Sequence, residues 1–342
     1  MTSLPSPRRE KIVGVSCILG TLIGWASILL FLKHLAPYLD SWTTNGWRYG
    51  LSALIWLPLL LSNASRGLLP RGIWWRGLVP AVFNTVGQVL YAQMPYYIGP
   101  ALGGFLIRMA LVSSTLGAFI LFADERVLLR SGLYWTGICS VLGGSIGTVF
   151  LGNAPVHGAT ATGILLGTTS GLMFGLYGVA VRRCMQGISA MTSFSVISLY
   201  TAAGLVTIMV FHGRAHGLEV FKLSAFNWFM LVASAIIGIA ICHVSYYAAI
   251  ARLGVAVSAA VVQLSPFLCA IGAYIIYGEV LAQGQWLSGF LMIGGAMALL
   301  MAEQRRPRPA PARGFPVVPE NLGDPISVAA EPVDVVQRFG SR

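Results

Sequence analysis

The chain has 342 residues, of which 56% are hydrophobic and 10% charged, with a formal net charge of +11. Soluble domains are about 25% charged, so this composition excludes an ordinary soluble enzyme or nucleic-acid-binding domain and indicates a protein in lipid. In a membrane protein an excess of Lys and Arg between apolar runs sets orientation. The five cysteines are scattered singly, without a CxxC pair. We therefore expect the lipid bilayer as a partner, no nucleic acid, no metal and no cofactor.

Runs of about 20 apolar residues, the length that spans a bilayer, occur throughout the chain. The sequence predicts an all-α integral membrane protein with ten transmembrane helices, at residues 12–32, 43–62, 77–97, 101–122, 131–152, 160–181, 189–211, 226–249, 255–277 and 283–302. The first run is too long for a cleavable signal peptide and leads directly into a second span.

The loops between these spans differ in charge. With residues 1–11 inside, fifteen Lys and Arg residues are cytoplasmic, and only Lys33, Arg214 and Lys222 lie on the other side. Positive residues favour the cytoplasmic side. The sequence thus predicts a multi-pass protein of the inner (plasma) membrane with both termini in the cytoplasm.

Two segments of the chain resemble each other. The pair Tyr96-Tyr97 recurs 150 positions later as Tyr246-Tyr247, and Glu125 recurs 154 positions later as Glu279. This spacing indicates two repeats, 12–152 and 160–303, of five spans each. Because five is odd, the second repeat must be inverted, which places Glu125 inside and Glu279 outside. Inverted repeats are typical of secondary transporters.

The residues after the second repeat differ in composition. Residues 304–342 are rich in Pro and lack long apolar runs. Such a segment buries too little apolar surface to fold alone. We expect a disordered cytoplasmic tail, with a partner-binding tail as the alternative.

A glycine stripe marks the sixth span, where Gly163, Gly167, Gly171 and Gly175 recur every four residues. Glycines at this spacing share one helix face and allow close approach of another backbone. Gly20 and Gly24 form the corresponding pair in the first span. We expect close packing inside the monomer; a homodimer face is the alternative.

Several features in order along the chain resemble one family of transporters. They are Trp47-Arg48-Tyr49 early in the second span, the glutamates after the fourth and ninth spans, the glycines that open the fifth and tenth spans (Gly137 and Gly289), and Pro266 in the ninth. Together they are similar to the drug/metabolite transporter superfamily, EamA type, over residues 10–303. The resemblance implies a substrate cavity between the halves and alternating access. Arg108, and Val112-Ser113-Ser114 where the second half has Pro266, depart from the pattern.

Two arginines fall inside predicted spans, Arg48 in the second and Arg108 in the fourth, and no Asp or Glu does. An arginine buried in the bilayer costs at least about 2.5 kcal/mol and seldom faces lipid. The alternative for Arg48 is that backbone carbonyls at a helix end hold it. Two cavity arginines without carboxylates would suit a substrate with a carboxylate or phosphate.

Further cavity candidates lie on the first, third, eighth and ninth spans. Asn84, Gln88 and Tyr91 share one face of the third span at i, i+4 and i+7. Polar residues on that face would meet substrate, or would form interhelical hydrogen bonds only. Offset by 150 residues, Gln93 corresponds to His243, whose ordinary pKa near neutrality makes proton coupling an option beside a structural role. The remaining candidates are Trp25, Tyr246 and Gln263.

The sequence contains no paired intramembrane carboxylates, no HExxH and no phosphate-binding glycine loop followed by Lys. Those absences disfavour an enzyme. We predict a transporter, an exporter or permease, of a small organic metabolite such as an amino acid or another amphipathic anion. The alternatives are an exchanger of nucleotide sugars or phosphorylated metabolites, and a membrane receptor or scaffold that transports nothing.

Overall fold

A computed structural model describes residues 7–152, 158–253, 258 and 261–305 of the chain. Within these residues every regular element is helical. The predicted tail lies outside the described residues except for Gln304 and Arg305.

The first half contains six α-helices and two short 3₁₀ segments. The helices are α1 (Pro7–Leu35), α2 (Ser41–Ser65), α3 (Ile73–Gln93), α4 (Pro100–Leu106), α5 (Met109–Leu121) and α6 (Gly132–Phe150), and the 3₁₀ segments are Met94–Tyr96 and Ala123–Arg130. The predicted fourth span, 101–122, is therefore two helices, α4 and α5, with a break at Ile107 and Arg108.

The described residues of the second half contain another six. They are α7 (Ala159–Cys184), α8 (Ala190–His212), α9 (Ala225–Ala235), α10 (Cys242–Leu253), α11 (Ser265–Tyr277) and α12 (Gln283–Gln304). A 3₁₀ segment, Arg214–Lys222, follows α8, and a π-helical turn, Ile236–Ile241, joins α9 to α10. The predicted eighth span, 226–249, thus has a wider turn near its middle.

Side-chain caps explain where several helices begin. Asp40 accepts a hydrogen bond from the backbone N–H of Thr43 at 2.9 Å and so caps α2, while Ser131, Ser189 and Ser224 cap α6, α8 and α9 in the same way. Such caps satisfy N–H groups that have no partner inside the helix. Pro100 occupies the first turn of α4, where its missing N–H costs nothing.

Seven helical segments of the described residues are long and apolar enough to cross a bilayer, when α4 with α5 and α9 with α10 are each counted as one segment. Helix α11 is a shorter apolar helix. Helices α2 and α3 coincide with predicted spans but are not among the seven. Both carry buried polar side chains, including Asn45 and Arg48 in α2 and Asn84 in α3. These polar side chains lower the mean hydropathy of α2 and α3. They face protein instead of lipid.

The helices pair across the two halves in a symmetric pattern. The second span (α2) packs on the seventh (α8), and the fifth (α6) on the tenth (α12). The third span (α3) packs on the sixth (α7), and the first (α1) on the eighth (α10). If the ten predicted spans are numbered cyclically and every number is raised by five, which exchanges the two halves, each of these pairs becomes a pair of the same set. This packing is what two structurally equivalent halves produce.

The ends of the bundle can be named from α1. Near its beginning, Glu10 forms an ion pair with Arg252 at 2.9 Å; we call this end the N-terminal face. Near its end, Lys33 donates to the carbonyl of Pro95 at 2.9 Å; we call this end the distal face. Gly163, early in α7, lies against Tyr97 and Ile98 next to Pro95. Helices α1 and α7, which open the two halves, therefore begin at opposite faces.

Candidate functional site

A cavity of about 410 Å³ lies at the centre of the bundle, between the two halves. Nine of the ten sequence-predicted cavity residues line it: Trp25, Arg48, Asn84, Gln88, Tyr91, Arg108, His243, Tyr246 and Gln263. The tenth, Gln93, lies at the C-terminal end of α3 and is not among the described residues that line it. Its predicted counterpart His243 does line the cavity, so the two positions are not equivalent in this conformation.

Arg48 enters the cavity from the second turn of α2. Its side chain is almost completely buried, and its Nε donates to the hydroxyl of Ser234 at 2.9 Å. That hydroxyl in turn donates to the carbonyl of Leu231 at 2.7 Å. Nη1 of Arg48 is buried without a hydrogen-bond partner among the described residues. A serine hydroxyl, and not a helix-end carbonyl, thus holds this guanidinium and leaves one donor free.

Arg108 stands at the break between α4 and α5 and binds the opposite half of the protein. Its Nη1 donates to Oε1 of Gln263 at 3.1 Å, and its Nη2 donates to the hydroxyl of Ser265 at 2.7 Å. Its Nε is buried without a partner in the described part of the chain. Both partners are neutral, so the positive charge of Arg108 is not compensated by them.

The predicted polar face of α3 also lines the cavity. Asn84 donates from Nδ2 to the hydroxyl of Thr201 at 3.1 Å. Tyr91 packs edge-on against Phe174, with ring centroids 5.8 Å apart. Gln88 also lines the cavity. Asn84 thus has a structural partner, whereas Gln88 and Tyr91 bring polar groups to the wall without a described side-chain hydrogen bond.

Aromatic rings from α1 and α10 form another part of the wall, and a ring from α8 packs against one of them. Trp25 packs against His243 and Tyr246, with ring centroids 5.7 and 5.1 Å apart. His243 also stacks on Phe194 at 4.5 Å, and its Nδ1 lies 2.9 Å from the carbonyl of Ile239. The imidazole is therefore fixed by two rings and one backbone group.

The charges of the lining are all of one sign. Two guanidinium groups line the cavity, and the described lining contains no Asp or Glu. The described residues also contain no group of three or more His, Cys, Asp or Glu side chains that could hold a metal ion. A cavity with uncompensated positive charge and unused N–H donors is suited to an anionic ligand.

A second hollow, of about 250 Å³, continues from the cavity toward the N-terminal face. The two share Leu111, Ser114 and Gly178 in their linings. The second hollow is also lined by Arg182, whose guanidinium lies 4.2 Å from the centroid of the Phe122 ring. Because α5 and α7 both run toward the N-terminal face, this hollow marks a path from the cavity to that face.

At the distal face the helices close over the cavity. Met94, Ile98 and Ala101 are all buried there. The hydroxyl of Tyr277 donates to the carbonyl of Leu30 at 2.7 Å, and that of Tyr96 donates to the carbonyl of Leu39. The side chain of Glu279 accepts a hydrogen bond from the backbone N–H of Ala101 at 3.1 Å. The conformation is thus closed at the distal face and hollow toward the N-terminal face.

The glycine stripe of α7 packs inside the monomer. A Cβ on Gly171 would lie 2.9 Å from the carbonyl oxygen of Ile107, and Gly175 lies directly against Ser113 and Ala110. Gly163 and Gly167 face Tyr97, Ile98, Met94 and Leu106. All four glycines therefore meet the 94–114 segment, which includes the break that carries Arg108.

Several residues of the site carried no signal in the sequence. Ser234, Ser265 and Thr201 hold the predicted polar side chains, Phe174 lines the cavity, and Phe194 stacks on His243. Serine, threonine and phenylalanine are common inside spans, so their residue types alone do not distinguish them. Their positions follow from the contact between the halves.

A helical bundle of two internal repeats with a central cavity defines the class of multi-pass membrane transporters. The chain belongs to the EamA-like transporter family, whose model matches residues 12–152 and again residues 161–301. This is a family of the drug/metabolite transporter superfamily. A solved crystal structure with 17% sequence identity covers 86% of this chain and 99% of its own, with a TM-score of 0.55. That likeness concerns the fold. None of the curated proteins matches the chain.

Proposed function

We propose that the protein is a permease that moves a small organic anion across the inner membrane by alternating access. The observation that carries this proposal is the pair of guanidiniums in the central cavity, each with one buried nitrogen whose N–H groups have no partner among the described residues. A buried, unsatisfied polar group costs about 1–3 kcal/mol, and a charged one costs more. An anion that accepts from these groups removes that cost.

The direction of transport that we propose rests on the orientation of the protein in the membrane. The charge bias of the loops assigns the N-terminal face to the cytoplasm. The hollow beside Arg182 would then connect the cavity with the cytoplasm, while the distal face stays closed toward the outside. A conformation of this kind loads its substrate from the cytoplasm, and export is the net reaction that we propose.

The lining also describes the body of the substrate. Trp25, Tyr91 and Phe174 present ring surfaces in the same cavity as the two arginines. A ligand with an acidic group and an apolar body fits both parts of such a wall. Amino acids and small amphipathic carboxylates belong to this class. Exchange of nucleotide sugars has less support, because residues 226–302 contain no lysine to bind a second phosphate.

Untargeted metabolite profiling tests the proposal even while the substrate is unidentified. Cells with and without the gene are compared, in medium and in cytoplasm, by mass spectrometry. We expect at least one acidic compound to accumulate in the cytoplasm when the gene is absent, and to reappear in the medium when it is restored. Restoration with Arg108→Met should fail although the protein is inserted. Equal profiles in all strains, or a change in cationic compounds only, would refute the proposal.

A further inference from the structure

Glu279 connects the two halves of the bundle at the distal face. It follows α11, where Gly278 adopts the left-handed conformation (φ 66°) and ends the helix. The backbone N–H groups of Gly278 and Glu279 donate to the carbonyls of Tyr274 and Ala273, at 3.0 and 3.2 Å. This turn ties the position of Glu279 to α11.

The partner of the Glu279 side chain is the first turn of α4, in the other half. One carboxyl oxygen, Oε2, accepts from the N–H of Ala101 at 3.1 Å, and the nearby N–H of Leu102 favours the charged form of the carboxyl group. Gly99, which precedes α4, provides no side-chain cap. The first N–H groups of a helix need an acceptor from outside the helix. Glu279 supplies it across the interface between the halves.

The helix that Glu279 caps is the one that leads to the cavity. Ala101 and Phe105 of α4 pack in one buried cluster with Ala270 and Ala273 of α11. Two residues after α4 ends, Arg108 reaches into the cavity and binds Gln263 and Ser265, on the segment that enters α11. Opening the distal face requires α4 and α11 to separate. That separation would remove the acceptor of the Ala101 N–H group in the first turn of α4.

We propose that Glu279 is the positioning residue that holds the distal gate closed, by capping α4 of the first half from the second half. The proposal rests on the proposed function, in that a gate has meaning only for a protein that alternates. Opening the distal face breaks the cap, and closing it restores the cap. Glu279 acts on access to the cavity and does not contact the substrate.

The repeat extends the proposal to the other face. Glu125 follows the fourth span as Glu279 follows the ninth, 154 positions earlier. Equivalent positions in inverted repeats exchange roles when the accessible side changes. In the conformation that opens the distal face, Glu125 is therefore expected to hold the N-terminal face closed.

The test measures access to the cavity from outside. Gln88→Cys, in a background in which Cys17, Cys139 and Cys184 are replaced and the buried Cys242 and Cys269 kept, reports access to the cavity. Intact cells are treated with a membrane-impermeant maleimide, and the labelling rate is measured. Glu279→Ala should raise that rate about fivefold, because loss of a helix cap typically shifts a two-state equilibrium by about that factor.

Two further variants separate gating from damage to the fold. Gly99→Ala keeps the carboxylate but would place a Cβ 2.6 Å from its Oε2, on a backbone (φ −73°, ψ 155°) that accepts alanine. It should raise outside labelling like Glu279→Ala, and the double variant should add little further. Glu279→Gln, which keeps an acceptor oxygen and resembles the protonated carboxyl group, should not label faster than the parent.

The control is Glu219→Ala, at the same face but paired with Arg214 of its own segment. It should leave labelling unchanged, and Glu125→Ala should lower it. Equal rates in the parent, Glu279→Ala and Gly99→Ala, with all proteins inserted and equally heat-stable, would overturn the gate. No substrate is needed, so a failure to find a transported anion would affect the proposed function alone.

Discussion

At the scale of single residues, the site depends on how two buried guanidiniums are held. Ser234, Gln263 and Ser265 supply neutral acceptors to Arg48 and Arg108. Neutral partners fix the geometry of each guanidinium and leave its charge available. A carboxylate partner would satisfy the charge and remove the attraction for an anion. The described lining contains no acidic residue, which is what the proposed transport of an anion requires.

Gln263→Glu tests this reasoning with a nearly isosteric change. The new carboxylate would stand about where Oε1 of Gln263 now lies, 3.1 Å from Nη1 of Arg108. It would compete with the substrate anion for the same guanidinium. Transport should fall at least about tenfold, the effect of one lost charged hydrogen bond, while the melting temperature stays equal or rises. Gln283→Glu, at the exposed first residue of α12 and away from the cavity, is the matched control for the change of charge. Unimpaired transport by Gln263→Glu would show that Arg108 does not bind the anion.

We expect the titration of the Glu279 carboxyl group to make the gate depend on pH. Burial raises the pKa of Glu279 above its ordinary value, although the N–H groups of Ala101 and Leu102 and the ammonium of Lys33 act in the opposite direction. Cys269 of α11 is the other titratable group close to it. In the open gate the exposed carboxyl would return to its ordinary pKa of about 4.3. The closed gate then binds a proton more tightly than the open one, so acid favours closure and alkali favours opening.

The measurement is the outside labelling rate of Gln88→Cys as a function of external pH, divided by the rate of the same reporter with Glu279→Gln. The division cancels the pH dependence of the thiol reaction itself. The ratio should rise as the pH increases through the raised pKa, above about 4.3. A constant ratio across the acidic range, or one that falls as the pH rises, would contradict the pKa argument.

At the scale of elements, the break in the fourth span is what delivers Arg108 to the cavity. The apolar run 101–122 predicted one helix, and its residues 107–109 contain neither Pro nor Gly that would indicate a break. In the structure α4 and α5 are separate, and the carbonyls of Leu106 and Ile107 lie against Gly171 of α7. The break depends on a close contact between distant segments, so local helix signals in the sequence could not predict it.

Gly171→Ala tests the role of that contact. The added methyl carbon would lie 2.9 and 3.0 Å from the carbonyl oxygens of Ile107 and Leu106, closer than van der Waals contact. Helix α7 must then move away, at a cost of about 1–3 kcal/mol. We expect a lower melting temperature and weaker transport. The control is Gly178→Ala on the same helix, where a Cβ would meet nothing within 4 Å. Its melting temperature should be equal or higher, and a Gly171→Ala protein as stable as Gly178→Ala would contradict the packing argument.

The π-helical turn in the eighth span is the second local departure from the predicted pattern. It places Gly238 and Ile239 in the lining beside Arg48, and Ile239 offers its carbonyl to His243. Such turns occur frequently at functional sites. Helix α3, the symmetry mate, is regular up to Gln93. The duplicated sequence aligned Gln93 with His243; the two helices differ in this turn, and of the two residues only His243 lines the cavity.

At the scale of the whole molecule, the sequence was sufficient for the class of fold and for nine of the residues that line the cavity. Hydropathy predicted the helices, and the family match over two repeats confirms the resemblance to EamA-type transporters. Arg48, Arg108 and the polar face of α3 could be predicted because polar residues in lipid must face protein or water. Ser234, Ser265 and Phe174 could not, because their residue types are ordinary in spans and their roles come from contacts between the halves.

Orientation in the membrane remains a prediction with a direct test. Single cysteines at positions 67 and 308 should react only with reagent in the cytoplasm, and one at position 216 only with reagent outside. The physical reason is the bias of fifteen positive residues against three. Labelling of position 216 from the cytoplasm would reverse the assigned orientation and, with it, the proposed export.

The central claim is that the cavity carries anions because of its arginines, and transport by the purified protein tests it most directly. Liposomes containing the protein are loaded with a mixture of acidic, neutral and basic metabolites, and the loss of each compound is followed by mass spectrometry. We expect selective loss of one or more acidic compounds from the liposomes. The rate of that loss should fall at least about tenfold in Arg108→Met and be partly retained in Arg108→Lys. Selective loss of neutral or basic compounds, or equal loss of the acidic ones with Arg108→Met, would contradict it.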